Sequence, residues 1–111
     1  ASLGVNILYL NPISKSFSSH RYDTGDYKTP DPMLGTKADF TAMCDAAHAR
    51  GIKVVLDGVF NHCGSFNKWM DHERLYEASA DYEAGAYISG DSPYHSFFNV
   101  PSVCSVKMGV L

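Results

Sequence analysis

Two short apolar runs, each bounded by polar residues, dominate the first half of the chain. "VNILYL", Val5 to Leu10, follows Gly4 and is closed by Asn11-Pro12; "IKVVL", Ile52 to Leu56, follows Gly51 and runs straight into Asp57. Both are rich in β-branched and large apolar residues, so each reads as a strand buried on both faces, as in parallel sheets. Between them the period changes. The stretch "TKAD", Thr36 to Asp39, is a helix-start signature in which Thr36 caps the first turn and Asp39 reaches back to it. Phe40, Met43, Cys44 and Ala47 then recur on one helical face, His48 and Arg50 fall in the last turn, and Gly51 supplies a left-handed stop. The pattern predicts a strand–helix–strand unit.

That unit has a geometric consequence. Two strands joined by one crossover helix are parallel, and the crossover is right-handed in nearly all cases. The segments that follow each strand, Asn11 to Gly35 and Asp57 onward, therefore face one another at the carboxyl edge of the sheet, where ligands bind in α/β folds. The polar residues of "LDGVFNHCG", Leu56 to Gly64, belong to that rim rather than to a core. The first connection is far longer than the usual about two to six residues and reads as a functional loop without regular structure. It carries "SSHRYDTGDY", Ser18 to Tyr27, dense in hydroxyls, charges and aromatics, with turn signals at Asp26 and Pro30 to Pro32. After Gly64 the pattern loosens: Asn67 to Ala84 shows some helical spacing without a clean stripe, and Tyr87 to Val100 is aromatic and turn-rich. The expected organisation is a strand–helix–strand segment over 1–64 and an excursion from the rim over 65–111.

Composition narrows the function classes. A net charge of −3 without a basic cluster gives no electrostatic footprint for nucleic acid. No apolar run approaches a membrane span, and no leader pattern is visible, so a cytoplasmic location is expected. Cys44, Cys63 and Cys104 have no paired spacing and read as reduced thiols. Asp57, at the end of its strand, reads first as a structural acceptor for backbone or loop donors. His62 reads either as a packed rim residue or as a ligand contact. His20, Asp23, Asp26, Asp57 and His62 are a candidate metal set, although no HxxxH, HxH or paired-cysteine spacing supports it. No GxSxG is present, and Cys63 has no evident activating partner.

Taken together, "LGVNILYLNPI", "SHRYDTGDY", "DPMLGT" and "AHARGIKVVLDGVFNHCG" resemble the α-amylase family, glycoside hydrolase family 13. The similarity is strongest to its neopullulanase, cyclomaltodextrinase and maltogenic-amylase group. "GDSPYHSFF", Gly90 to Phe98, resembles the small domain that the family inserts after barrel strand three. The resemblance implies an α/β fold in which this chain is a partial (β/α)8 TIM-barrel fragment: strand two, helix two and strand three, followed by the start of the inserted domain. It implies that His62 hydrogen-bonds sugar hydroxyls beside the scissile bond, that Tyr22 stacks on the same sugar ring, and that Asp57 is a structural rim acid. Asn61 matches a calcium ligand of many amylases; no cofactor is otherwise expected.

The family's retaining chemistry needs two carboxyl groups flanking the glycosidic bond. The resemblance assigns both to later strands, so no catalytic residue is expected in this chain and the chain alone is expected to be inactive. The tail "VPSVCSVKMGVL", Val100 to Leu111, does not resemble the aromatic continuation expected after "FFN". The reading is thus part of an α-glucan hydrolase acting on maltooligosaccharides, cyclodextrins or pullulan. Its expected partners are an α-glucan oligosaccharide, and either a second copy of the chain or the remainder of the barrel. A non-catalytic carbohydrate-binding or assembly module built from the same rim is the alternative, and a metal-dependent hydrolase a third.

Overall fold

The structure, a computed structural model, describes residues 1–99; Cys104 and the Val100 to Leu111 tail lie outside the described residues. The chain divides into two compact units, the first Ala1–Cys63 and the second starting at Gly64. In chain order the first contains β1 (Ile7–Leu10), β2 (Ser14–Ser16), β3 (Thr24–Pro30), α1 (Lys37–His48) and β4 (Lys53–Leu56). β1 and β4 pair in parallel, with Ile7 opposite Lys53 and Leu10 opposite Leu56. Hydrogen bonds from Lys53 N to the Asn6 carbonyl and from Asp57 N to the Leu10 carbonyl extend the ladder at both ends.

The helix ends are built as their residues dictate. The Asp39 N–H donates to the Thr36 hydroxyl oxygen, while the Asp39 carboxylate accepts the Thr36 N–H at 2.7 Å, a complete capping box. At the other end Gly51 takes φ 72°. Its N–H reaches the His48 carbonyl and the Ile52 N–H reaches the Ala47 carbonyl, a Schellman pair that turns the chain directly into β4.

Two expectations need correction. Neither strand is buried on both faces: Ile7, Tyr9, Val55 and Leu56 are all exposed, while Leu8, Leu10 and Val54 are half-buried. One helix covers one face of a two-stranded sheet and leaves the other open. The long connection is not irregular either. Its β2 and β3 pair antiparallel, with register shifts on either side of Lys15, so Asp26 lies inside a strand rather than in a turn. The loose helical spacing between Asn67 and Ala84, which lacks a clean stripe, forms no helix among the described residues. Asp71 at φ 51° and Arg74 at φ 55° are left-handed and break the run.

The second unit is assembled from turns around Phe66, Met70 and Ala86, with one 3₁₀ turn at His95–Phe97. Backbone bonds from Ala86 N to the Trp69 carbonyl and from Tyr87 N to the Met70 carbonyl bring two of its segments together. Gly85 makes this approach possible, since a Cβ there would sit 2.5 Å from the Met70 carbonyl oxygen. Asp71 is fully buried and accepts the Leu75 N–H at 2.8 Å. Burial pushes its carboxyl up from the ordinary value, opposed by that hydrogen bond and reinforced by the charges of Glu77 and Glu73. Such a group favours the fold at acid pH, below its unfolded value, and the benefit is lost as pH rises through the folded value.

The first unit has a thin core. Ala47, Ile52, Val59 and Cys63 are its buried apolar residues, each still 7–8% exposed, and Leu10, Ile13, Pro30, Leu34, Phe40 and Met43 line an open pocket of about 410 Å³. No helix among the described residues is long and apolar enough to cross a membrane. The exposed Ile7–Tyr9–Val55 face and the two unpaired strand edges are templates for association. Light scattering across a range of protein concentrations should therefore show a mass rising above the 12.2 kDa of the monomer. A concentration-independent monomer with a cooperative unfolding transition would contradict this.

Candidate functional site

Both parallel strands end at the same edge, and the ladder bond to Leu10 fixes Asp57 there. The loop between β2 and β3 is organised to meet it. The Asp23 carboxylate accepts the backbone N–H groups of Phe17 and Ser18 and a short hydrogen bond from the Ser18 hydroxyl. His20 Nδ1 accepts the Tyr22 N–H at 3.1 Å, and Arg21 between them takes φ 63°. This turn presents Tyr22 to the rim. The Tyr22 hydroxyl donates to Asp57 Oδ2 at 2.7 Å, and the Tyr22 carbonyl lies 2.9 Å from His62 Nε2. From β3, the Tyr27 hydroxyl donates to the His62 carbonyl at 2.6 Å. Three hydrogen bonds thus tie the hairpin to the segment after β4, and Tyr22, Asp57 and His62 share one edge as the topology requires.

The details refine the roles. A carbonyl only accepts, so His62 Nε2 carries a proton. Its Nδ1 lies 3.0 Å from Asn61 Oδ1. Nε2 is therefore engaged within the chain. Nδ1 of the neutral ring is an acceptor and pairs with Asn61 only when the amide turns its NH2 toward it. A sugar hydroxyl thus reaches His62 by donating to Nδ1 or by sharing the Nε2 proton. Asp57 is an acceptor for the loop, the role its position at the strand end suggested.

Tyr9 was read only as part of a buried strand, yet it belongs to this edge. It pairs with Val55, and Asp57 lies two residues further on, just past the end of β4, so Tyr9, Val55 and Asp57 occupy one face. Partial removal from water and then the Asp57 carboxylate, by charge and hydrogen bonding, raise the Tyr9 phenol above the ordinary value. The Tyr22 phenol is raised first by its hydrogen bond to Asp57, then by burial and by the charges of Asp57 and Tyr9. Strand alternation and the parallel register were the signals available for Tyr9.

The candidate metal set does not assemble. Among the described residues no group of three or more His, Cys, Asp and Glu side chains is placed to hold a metal ion. Asp23 is committed to its loop. Asp26 accepts from Lys28 N and the Thr29 hydroxyl; burial pushes its carboxyl up, but those hydrogen bonds and the charges of Lys15 and Lys37 bring it below the ordinary value. Calcium takes about six to eight oxygen ligands. Asn61, whose oxygen faces the His62 ring, is not joined by a group of three or more His, Cys, Asp or Glu side chains placed to hold a metal ion among the described residues. Burial pushes the Cys63 thiol up to about 11, so it is protonated and inert as a nucleophile near neutral pH.

The family described as "Alpha amylase, catalytic domain" matches residues 1–105 of the chain. The chain belongs to the α-amylase family. The match runs into the tail whose resemblance had seemed lost. Amylopullulanase of Thermoanaerobacterium thermosulfurigenes is 42% identical over 103 residues, covering 90% of this chain and 5% of that protein. Neopullulanase 2 of Thermoactinomyces vulgaris is 53% identical over 62 residues, covering 56% of this chain and 11% of that protein. Among solved structures, the α-amylase from H. orenii superposes with a TM-score of 0.73 at 36% identity, covering 86% of this chain and 17% of that one. The chain thus spans under a fifth of each of these relatives, and its β1–α1–β4 unit is an α/β piece of the family's eight-stranded barrel.

If the Asp57 carboxylate holds the Tyr22 and Tyr9 phenols protonated, Asp57→Asn removes the charge that opposes phenolate formation. Ultraviolet titration should show both tyrosines shifting down toward the ordinary tyrosine value, identified by comparison with Tyr22→Phe and Tyr9→Phe variants. An unchanged titration in a folded Asp57→Asn chain would mean that the carboxylate does not face these hydroxyls.

Proposed function

We propose that this chain forms part of the sugar-binding rim of a retaining α-glucan hydrolase. The substrates proposed are maltooligosaccharides, cyclodextrins or pullulan, cleaved at α-1,4 and α-1,6 linkages. The Tyr22–Asp57 hydrogen bond carries the reading, because it folds the aromatic loop over the carboxyl edge where barrel enzymes bind substrate. Relatives named amylopullulanase, neopullulanase and cyclomaltodextrinase support the substrate class.

In this reading Tyr22, a residue 38% exposed, offers its ring face to a pyranose ring, and a sugar hydroxyl donates to His62 Nδ1 or shares its Nε2 proton. The nucleophile and the general acid belong to another part of the enzyme. Retention needs two carboxyl groups about 5–5.5 Å apart, one ionised and one protonated near neutral pH. Here the carboxylates around the rim are already occupied: Asp57 by Tyr22, Asp23 by its loop, Asp26 by Lys28 and Thr29, and Asp31 by Arg21 and Met33. The remainder of the barrel would cover the open Ile7–Tyr9–Val55 face and supply the missing groups.

The purified chain is accordingly expected to release no reducing sugar from maltooligosaccharides above background, and appreciable turnover would refute this division of labour. In an enzyme that carries the chain, His62→Ala should cost about 1–3 kcal/mol of transition-state binding, by losing a hydroxyl partner and loosening Tyr22. An unchanged kcat/KM on maltotriose would remove His62 from the substrate's surroundings.

A further inference from the structure

Residue 21 lies in the left-handed region at φ 63°, where an L side chain is disfavoured and glycine is at ease. Such conformations persist when their surroundings over-determine them, and they concentrate at functional sites. The surroundings of Arg21 do so. Its N–H donates to the Ser18 hydroxyl oxygen at 3.2 Å, and the Ser16 hydroxyl donates to its carbonyl at 3.4 Å. Its Nη1 donates to the Ser19 carbonyl at 2.8 Å. Its Nε lies 3.3 Å from Asp31 Oδ2, with the two side chains only 16% and 7% exposed. Asp31 is a fixed anchor just beyond β3: its N–H donates to the Ile13 carbonyl, and its Oδ1 accepts the Met33 N–H at 2.9 Å.

The next residue in the chain is Tyr22, whose carbonyl meets His62 and whose hydroxyl meets Asp57. A glycine at position 21 would allow the same backbone without strain but would also allow many others. We propose that Arg21 is the positioning residue of this rim: paired with Asp31, its guanidinium holds the left-handed backbone that presents Tyr22 to Asp57 and His62. The ion pair selects one turn out of the conformations open to a loop rich in serine. The Asp31 carboxyl is held below the ordinary carboxylate range by the Met33 hydrogen bond, against burial, and by the Arg21 charge, so the anchor is ionised at neutral pH. The role of Arg21 in sugar binding rests on the proposed function; its role in placing Tyr22 does not.

The test reads Tyr22 directly. In the 111-residue chain, the Tyr22 phenol is titrated in Arg21→Ala, Asp31→Asn, the double variant and Arg21→Lys, each referenced to its Tyr22→Phe counterpart, with circular dichroism as the check on folding. The two single variants and the double should all move the Tyr22 titration down to a common value, because each breaks the same pair. Arg21→Lys, which keeps the charge, should restore most of the original behaviour. A titration unmoved in folded Arg21→Ala and Asp31→Asn would overturn the proposal, as would independent, additive effects in the double variant. If Arg21→Ala does not fold, the isosteric Asp31→Asn chain reads the same pair. In an enzyme carrying the chain, Asp31→Asn should lower kcat/KM on maltotriose about tenfold. A shifted Tyr22 titration with unchanged kcat/KM would uphold the positioning role and count against the sugar-binding reading.

Discussion

A single hydrogen bond, from the Tyr22 hydroxyl to the Asp57 carboxylate, decides where the polar half of the first unit goes. It joins residues 35 apart in sequence and lies at the one place where both parallel strands release their loops. Everything around it serves the same placement: the ladder bond that fixes Asp57 beside Leu10, the Asp23-centred loop, the left-handed backbone at Arg21, and the His62 ring against the Tyr22 carbonyl. The acceptor is charged and the donor phenolic, which makes this a stronger bond than a neutral pair. Without it the hairpin would be tethered to the far strand mainly through backbone carbonyls.

The fold around this rim is unusually dependent on polar organisation. The first unit has few buried apolar side chains, while one face of its sheet displays Ile7, Tyr9 and Val55. Hydrogen bonds contribute modestly to stability on balance, because water competes for the same groups, whereas buried apolar area is the dominant favourable term. A unit with many of the former and little of the latter is specific in its local geometry and marginal in its stability. The family relationship supplies the physical context. In an eight-stranded barrel the same face lies in the interior, and Tyr9 and Asp57 stand at its carboxyl end.

How far the sequence revealed this follows from the kinds of signal involved. The strand–helix–strand unit was legible because its apolar periods, the Thr36–Asp39 box and the Gly51 stop are all local and mutually consistent. That the segments carrying Tyr22, Asp57 and His62 share one edge followed from topology, while the choice of Tyr22 within its loop was what the family resemblance implied. The β2–β3 hairpin was not legible: its strands are serine, lysine, threonine, aspartate and tyrosine with irregular register, and carry no alternation to detect. The turn-built second unit was hidden for a related reason. Its left-handed positions are Asp71 and Arg74 rather than glycines, so nothing in the residue types marked the breaks. At the site itself, residue types identified His62 as a candidate but could not show that its Nε2 is already engaged by the Tyr22 carbonyl.

In the proposed function this rim receives an α-glucan against Tyr22 while Tyr22 remains bound to Asp57. A crystal structure of an enzyme carrying this chain, with maltotriose bound, tests it most directly. The expected result is a glucose ring stacked on the Tyr22 face, with the Tyr22–Asp57 hydrogen bond intact and His62 sharing a hydrogen bond with a sugar hydroxyl. A sugar bound away from this edge, or a Tyr22 loop turned away from the end of β4 in the complex, would contradict it.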